Sequence, residues 1–185
     1  MTPWHLRQAA HALHHGGIVA YPTEAVYGLG CEPLDAVAVL RLLALKKRPM
    51  DKGLILIASD FQQLAPFVQT PAPGIMRHIN ATWPGPVTWL LPARVDTPYW
   101  LRGAHDTLAV RVTAHLQAAA LCRAFGGALV STSANPAGRS PARHPLRVRH
   151  YFDGRLDCIL SGAVYSHTKP TEIRDALTGK VIRSA

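Results

Sequence analysis

The sequence predicts a single mixed α/β domain, and three observations lead there. Strand-like and helix-like segments alternate along the whole length, no linker, low-complexity run or internal repeat divides them, and 185 residues suit one core. A chain of this size buries roughly 70% of its unfolded surface and needs no covalent staples.

In order, Thr2 and Pro3 pair as cap and first-turn residue for a helix through about His14, which Gly16-Gly17 stops. Ile18 to Tyr21 suits a buried strand that ends at Pro22. Gly28 and Gly30 then read as loop residues that allow a tight turn or close approach to a ligand. Asp35 caps a helix over Ala36 to Lys47, with Val37, Leu40, Leu43 and Ala44 as its apolar stripe, and Pro49 ends it. Leu54 to Ala58 is apolar at every position, the pattern of a central strand covered on both faces. Asp60 caps a short helix to about Phe67, and a further helix runs from about Pro73 to Ala81. Trp83-Pro84-Gly85-Pro86 is a rigid turn into a strand over Val87 to Leu91. Leu108 to Val112 is the next strand, followed by a helix over His115 to Phe125 that Gly126-Gly127 closes. Leu129 to Thr132 makes a strand that ends on hydroxyls. A short helix near Leu146 to Phe152 and strands near Cys158 to Leu160, Thr171 to Arg174 and Val181 to Arg183 complete the chain.

Composition narrows the function classes. Cys31, Cys122 and Cys158 are odd in number and never spaced as Cys-x-x-Cys, which argues for a reducing compartment and against a disulfide framework or a zinc site. The amino terminus lacks a leader pattern, and no stretch approaches the ~20 apolar residues of a membrane span, so a soluble, cytoplasmic protein is expected. Twenty Lys and Arg against eleven Asp and Glu give a net charge of +9. Most of these cations are Arg, which suits forked contacts with phosphate or carboxylate, so the ligand or partner is expected to be anionic. Nucleotide and RNA both fit.

Polar clusters fall at element ends. Thr23-Glu24 follows the first strand, a place where ligands of open α/β sheets commonly bind. Lys46-Lys47-Arg48 closes a helix, where macrodipole complementarity alone would account for about 0.3–1 kcal/mol per cation. Ser131 to Pro141 is richer in hydroxyl and amide groups than a plain turn needs. Cations, hydroxyls and an Asn amide together supply what a nucleoside triphosphate requires. The usual phosphate-loop and dinucleotide glycine signatures are nevertheless missing, so any ATP site is of another type.

Tyr-Pro-Thr-Glu-Ala-Val-Tyr-Gly-Leu-Gly at 21 to 30, Lys-x-Arg-Pro at 46 to 49, Trp-Pro-Gly-Pro-Val-Thr at 83 to 88, Ala-Val-Arg-Val at 109 to 112 and Ser-Thr-Ser-Ala-Asn at 131 to 135 resemble the YrdC/TsaC family. Pro170-Thr171-Glu172-Ile173-Arg174-Asp175 and Val181-Ile182-Arg183 extend the match to the last residues. The resemblance implies one YrdC-like domain over 1–185, a twisted open mixed sheet with flanking helices and a central cleft. It implies synthesis of threonylcarbamoyl-AMP and pyrophosphate from L-threonine, bicarbonate and ATP, a nucleotidyltransferase reaction that serves tRNA threonylcarbamoyladenosine modification.

Carried over residue by residue, the resemblance makes Lys46 and Arg48 phosphate ligands, with Ser133 and Asn135 completing the catalytic grip. Thr23 would touch threonine and Arg111 would fork its carboxylate. Thr107, Ser140 and Arg183 would join the ATP side, and Ser131 and Thr171 the threonine side. No dedicated side-chain base is identified, no protein ligand for a metal is assigned, and Mg2+ would arrive with ATP. Two-domain relatives have Asn-Pro-Leu and a His after Lys-x-Arg, whereas this chain has Lys52-Gly53-Leu54 and no His before Ala58, so threonine contacts there do not transfer. The end after Arg183 resembles the short bacterial form. Glu24 receives no role.

Other features have plainer explanations. His11 and His15 have metal-pair spacing without a third ligand, and Trp83 and Trp89 suit packing as well as base stacking. Arg139, Arg143, Arg147, Arg149 and Arg155, with His144 and His150, make the densest basic stretch, a solvated face or a surface for tRNA or double-stranded RNA. A rival reading is therefore an RNA-binding or ribosome-maturation module with an incidental cleft. Another is a carbamoyl-adenylate-forming domain, as in hydrogenase-maturation proteins. Transient contact with the threonylcarbamoyl transferase complex is a further expected partnership.

Overall fold

The computed structural model describes residues 2–165 and 171–184. Its elements are α1 (Pro3–His14), β1 (Val19–Pro22), β2 (Tyr27–Gly30), α2 (Ala36–Lys46), a 3-10 turn (Met50–Lys52), β3 (Ile55–Ala58), α3 (Pro73–Asn80), β4 (Val87–Pro92), α4 (Tyr99–Arg102), β5 (Thr107–Val112), α5 (Leu116–Phe125), β6 (Leu129–Ser133), α6 (Pro145–Phe152), β7 (Cys158–Ile159), β8 (Glu172–Asp175) and β9 (Val181–Arg183). The strands form one sheet in the order β7-β1-β2-β6-β3-β5-β4-β8-β9. β1 with β7, β3 with β5 and β4 with β8 are parallel pairs, and the other neighbours are antiparallel, so the sheet is mixed as expected. The uniformly apolar β3 stands at its middle.

Alternation along the strands sorts the side chains to two faces. Leu56 and Ala58 of β3, Val110 and Val112 of β5 and Val130 of β6 enter the larger core. Ile57, Leu129 and Tyr21 point the other way, into a smaller core with Ala9 and Leu13 of α1 and Ala118, Leu121 and Cys122 of α5. Register sets Ile57 opposite both Arg111 and Leu129, and Ile55 opposite both Ala109 and Ser131. Arg111 and Ser131 therefore share the face that α1 and α5 cover. Those helices pack mainly on β1, β3 and β7, leaving the remainder of that face open.

Several local expectations hold. Asp35 caps α2 by accepting from the Ala38 amide at 3.0 Å. Trp83 and Trp89 are buried in the larger core, and their indole N–H groups donate to the Val87 carbonyl at 2.7 Å and the Thr82 hydroxyl at 2.9 Å, so both serve packing. Others need correction. Asp60 to Phe67 is a series of turns, because Pro66 lacks an amide donor and the bonds that form, such as Leu64 to Phe61 and Phe67 to Leu64, are short-range. The stripe read on α2 holds only at Leu43. The helix buries Ala38, Val39, Leu42, Leu43 and Lys46, while Val37 is 76% exposed. A helix apolar on most of its circumference does not declare its inner face by pattern alone. Pro170 of the terminal motif lies outside the described residues.

Gly28 and Gly30 are a further correction: they belong to β2, paired with Tyr21 and Val19 of β1, and neither has a left-handed φ. Their missing side chains make room. The ring of fully buried Tyr21 crosses them, and its hydroxyl donates to the Val130 carbonyl at 3.3 Å. A Cβ on Gly30 would lie 2.5 Å from the Val130 carbonyl oxygen and 2.9 Å from Tyr21 Cε1, whereas one on Gly28 would meet only side-chain atoms at 3.2 Å and beyond. Gly30→Ala should therefore destabilise the protein by about 1–3 kcal/mol in urea unfolding, and Gly28→Ala by less. Equal stability of Gly30→Ala and the parent would contradict this packing.

Candidate active site

On the open part of the sheet lies a cleft of about 280 Å³, lined by Thr23, Val26, Tyr27, Gly28, Arg48, Leu54, Ile55, Arg111, Ser131, Thr132, Ser133, Pro141, Thr171 and Arg183. It adjoins a second cavity of about 260 Å³ through Arg48, Leu54, Ile55 and Arg183, where Lys52, Arg102, His105 and Thr107 complete the polar wall. Among the described residues, no lining residue of either cavity is acidic. The arrangement offers arginines and hydroxyls to an anion, with apolar walls that limit water around it.

The Lys-x-Arg and Ser-x-Asn segments are in direct contact. Lys46, the last residue of α2, is buried, and its Nζ donates to the carbonyl of Ser133 and to that of Asn135, the latter at 2.8 Å. Burial and the nearby charge of Arg48 push its pKa down to about 8. The two carbonyls pull the other way, since they favour the charged form. Ser133 Oγ donates to Asn135 Oδ1 at 2.6 Å, and the Asn135 amide donates to the carbonyls of Pro136 and Arg139 at 3.1 and 2.8 Å. Lys46 and Asn135 thus fix the loop after β6 in a single shape. Lys46 lies behind the cleft wall, whereas Ser133 faces the cleft.

Lys47 takes the left-handed conformation that ends α2 and turns the chain so that Arg48 reaches the cleft. Arg48 donates to the Gly53 carbonyl at 2.8 Å, while its Nε is buried with no acceptor among the described residues. Its burial works against the charged state and lowers its pKa. Arg183 of β9 donates to the Thr171 carbonyl at 2.6 Å and approaches its hydroxyl at 3.3 Å, joining the sheet edge to the cleft. Burial, then the charge of Arg111, lowers the Arg183 pKa. Thr23 bends the chain after β1 by donating from Oγ1 to the Val26 carbonyl at 2.6 Å.

Arg111 and Glu24 form a buried ion pair, Nη2 to Oε2 at 3.4 Å, with side chains only 6% and 4% exposed. Glu24 Oε1 accepts from Thr113 Oγ1 at 2.7 Å and from the Ala114 amide at 3.2 Å. Burial raises the Glu24 pKa, but the Arg111 charge and the Thr113 bond outweigh it and hold the carboxyl below its usual range. Arg111 Nε is buried without an acceptor among the described residues.

Of the residues singled out from the sequence, Thr23, Arg48, Arg111, Ser131, Ser133, Thr171 and Arg183 line the cleft together. Lys46 and Asn135 support its wall through the loop they hold. Thr107 lies in the adjoining cavity, and Ser140 in a neighbouring groove with Arg139, Arg143, His144 and Arg147. The cleft also takes in residues that the sequence does not single out: Thr132, inside the Ser-Thr-Ser run, and Leu54 and Ile55, whose apolar run reads as core alone. Nor does the sequence reveal the pairing of Glu24 with Arg111. Among the described residues, no three His, Cys, Asp or Glu side chains gather as metal ligands and no helix is long and apolar enough to cross a membrane.

A family profile described as telomere recombination, bearing the names Sua5, YciO and YrdC, matches residues 11–185. The chain is 52% identical over 187 residues to a protein of Cellvibrio japonicus named threonylcarbamoyl-AMP synthase, covering 99% of each chain. It is 55% identical over 181 residues to a protein of the same name from Halorhodospira halophila, covering 98% of this chain and 95% of the other. The crystal structure of P. abyssi Sua5 complexed with L-threonine superposes with a TM-score of 0.88 at 33% identity over 95% of this chain, which spans 52% of that protein's length. Match to the profile over nearly the whole length, together with this fold, shows that the chain belongs to the Sua5/YciO/YrdC family.

Proposed function

We propose that the protein acts as a threonylcarbamoyl-AMP synthase, forming L-threonylcarbamoyladenylate and pyrophosphate from L-threonine, bicarbonate and ATP for tRNA threonylcarbamoyladenosine modification. The observation that carries this reading is the cleft itself: buried Arg111, half-buried Arg48, exposed Arg183 and several hydroxyls without a lining carboxylate among the described residues, with the Lys-x-Arg and Ser-x-Asn segments in contact. The names of the full-length relatives support it. An RNA-binding module with an incidental cleft gives no reason to bury the Nε of both Arg48 and Arg111 without an acceptor among the described residues.

In this reading the threonine amine captures bicarbonate as a carbamate with loss of water. A carbamate oxygen then attacks the α-phosphorus, and the bond to the β-phosphate oxygen breaks to release pyrophosphate. The protein's contribution is position and charge. Arg48 and Arg183 meet the phosphates from the cleft wall. Lys46 holds the loop that presents Ser133, and Asn135 sets that loop's curvature. Thr107, one cavity further along, and Ser140, on the groove side of the loop, mark the outer limits of the ATP site. Arg111 binds the threonine carboxylate between Thr23 and Ser131, with Thr171 closing the side toward β9. The hydroxyl and cation donors suit phosphate oxygens rather than a bare divalent cation. Mg2+ would enter with ATP, keep phosphate and water ligands, and neutralise phosphate charge. The neighbouring groove with Arg139, Arg143 and Arg147 supports contact with tRNA phosphates. Delivery of the product implies a transient meeting with the threonylcarbamoyl transferase complex in the cytoplasm.

Purified protein with labelled ATP, Mg2+, threonine and bicarbonate should release pyrophosphate, and omission of any one should stop it. Turnover indifferent to threonine would overturn the assignment. Lys46→Ala and Arg48→Ala, checked for folding by Tm, should each lower kcat/KM by about 100-fold, the scale of one or two charge-assisted hydrogen bonds. Arg111→Ala should raise the threonine KM about tenfold or more while the ATP KM moves less than twofold; equal damage to both would remove its role at the carboxylate.

The pH dependence of ATP binding has a defined sign. Phosphate favours protonated Lys46, so binding raises its pKa from the free value of about 8. Affinity should be flat below that pH and fall as pH rises through it, by up to about tenfold per unit. Calorimetry in buffers of different ionisation enthalpy should find proton uptake near pH 8, absent in Lys46→Met.

A further inference from the structure

We infer that Glu24 is the positioning residue for Arg111, turning a buried guanidinium into a directed receptor for the substrate carboxylate; this rests on the function proposed above. The carboxylate of Glu24 is hydrogen-bonded at one end and faces Arg111 at the other. Oε1 is tied to the connection between β5 and α5 by Thr113 Oγ1 and the Ala114 amide, and Oε2 faces Arg111 Nη2 at 3.4 Å. The backbone on either side of that carboxylate is held as well. The Glu24 carbonyl accepts from the Tyr165 amide at 3.0 Å, and Thr23 is pinned to Val26.

A guanidinium carries five N–H donors in a plane, and one carboxylate cannot occupy them all. Glu24 stands at one terminal nitrogen, while Nε remains buried and without an acceptor among the described residues in a side chain that lines the cleft. A donor buried in this way is costly unless a ligand meets it. A second carboxylate in the cleft that Arg111 lines would share the guanidinium, and Glu24 at Nη2 keeps the long side chain from swinging to follow it. Without Glu24 the guanidinium would keep its charge and lose its direction. Such a buried pair adds little to stability compared with an apolar replacement, so orientation is the property it secures.

The experiment uses the whole protein and steady-state pyrophosphate release. Glu24→Gln keeps the size of the side chain and an oxygen for Thr113 and Ala114, but removes the charge facing Arg111. L-Threoninol, which has the amine, hydroxyl and methyl of threonine but no carboxylate, serves as a competitor. The expected result is a threonine KM raised about tenfold, with the ATP KM and the inhibition constant of L-threoninol each changed less than twofold. General loosening of the site would move threonine and threoninol together, and that outcome, like an unchanged threonine KM, overturns the proposal. Thr113→Val, which releases one anchor of Glu24, should raise the threonine KM about threefold by the same pattern. It decides the matter should Glu24→Gln fail to fold, an unchanged KM then overturning the proposal. Absence of threonine-dependent turnover in the unmodified protein would instead overturn the reading of function, so the two failures are distinguishable.

Discussion

The larger constraint on this molecule is that its long mixed sheet presents more surface on one face than α1 and α5 can cover. Those helices seal the part over β1, β3 and β7, where Tyr21, Ile57 and Leu129 form the smaller core. Beyond them the same alternating positions carry Ser131, Arg111 and Ala109. The polar residues are thus continuations of a core pattern into a place where no helix follows. A charge at such a position is held by a rigid sheet yet remains within reach of a ligand, a combination that a fully covered face or a flexible loop does not provide.

The same economy governs the connection between α2 and the loop after β6. A helix carboxyl end attracts a cation and also leaves carbonyls that a lysine can serve. Here Lys46 reaches past its own helix to the carbonyls of Ser133 and Asn135, so the interaction that completes one element shapes another. Arg48 lies just beyond, aimed by the left-handed Lys47. Two motifs far apart in sequence therefore form one structural unit, and displacement of either moves the other.

Which parts of this were legible in the sequence follows from how local their causes are. β3 could be read because every residue of its run is apolar, and α2 could be bounded because Asp35 and Pro49 act on their immediate neighbours. The inner face of α2 could not, since apolar residues occur nearly all around it. β2 was hidden because its glycines answer to the ring of Tyr21 on another strand rather than to a turn in their own. The elements that would bring Thr23, Arg48, Arg111 and Ser133 to one cleft were recognisable from motifs. The pairing of Glu24 with Arg111 was not, because charge complementarity between distant strand ends leaves no period or spacing to detect.

The polar groups of the cleft and of the loop behind it divide according to what already satisfies them. Ser133, Asn135 and Thr23 make short hydrogen bonds within the protein, so their first effect is to fix the shape of the loops that carry them. Arg48 and Arg111 each keep a buried Nε without an acceptor among the described residues, and each such donor costs about 1–3 kcal/mol. An anion that reached these donors would recover that free energy as binding, while the hydroxyl and amide network would lose nothing by staying in place. Affinity for anions should then come chiefly from the arginines and geometric selectivity from the Ser-x-Asn loop and Thr23. The free protein leaves those two donors unsatisfied, and the rest of the fold is what keeps them from relaxing.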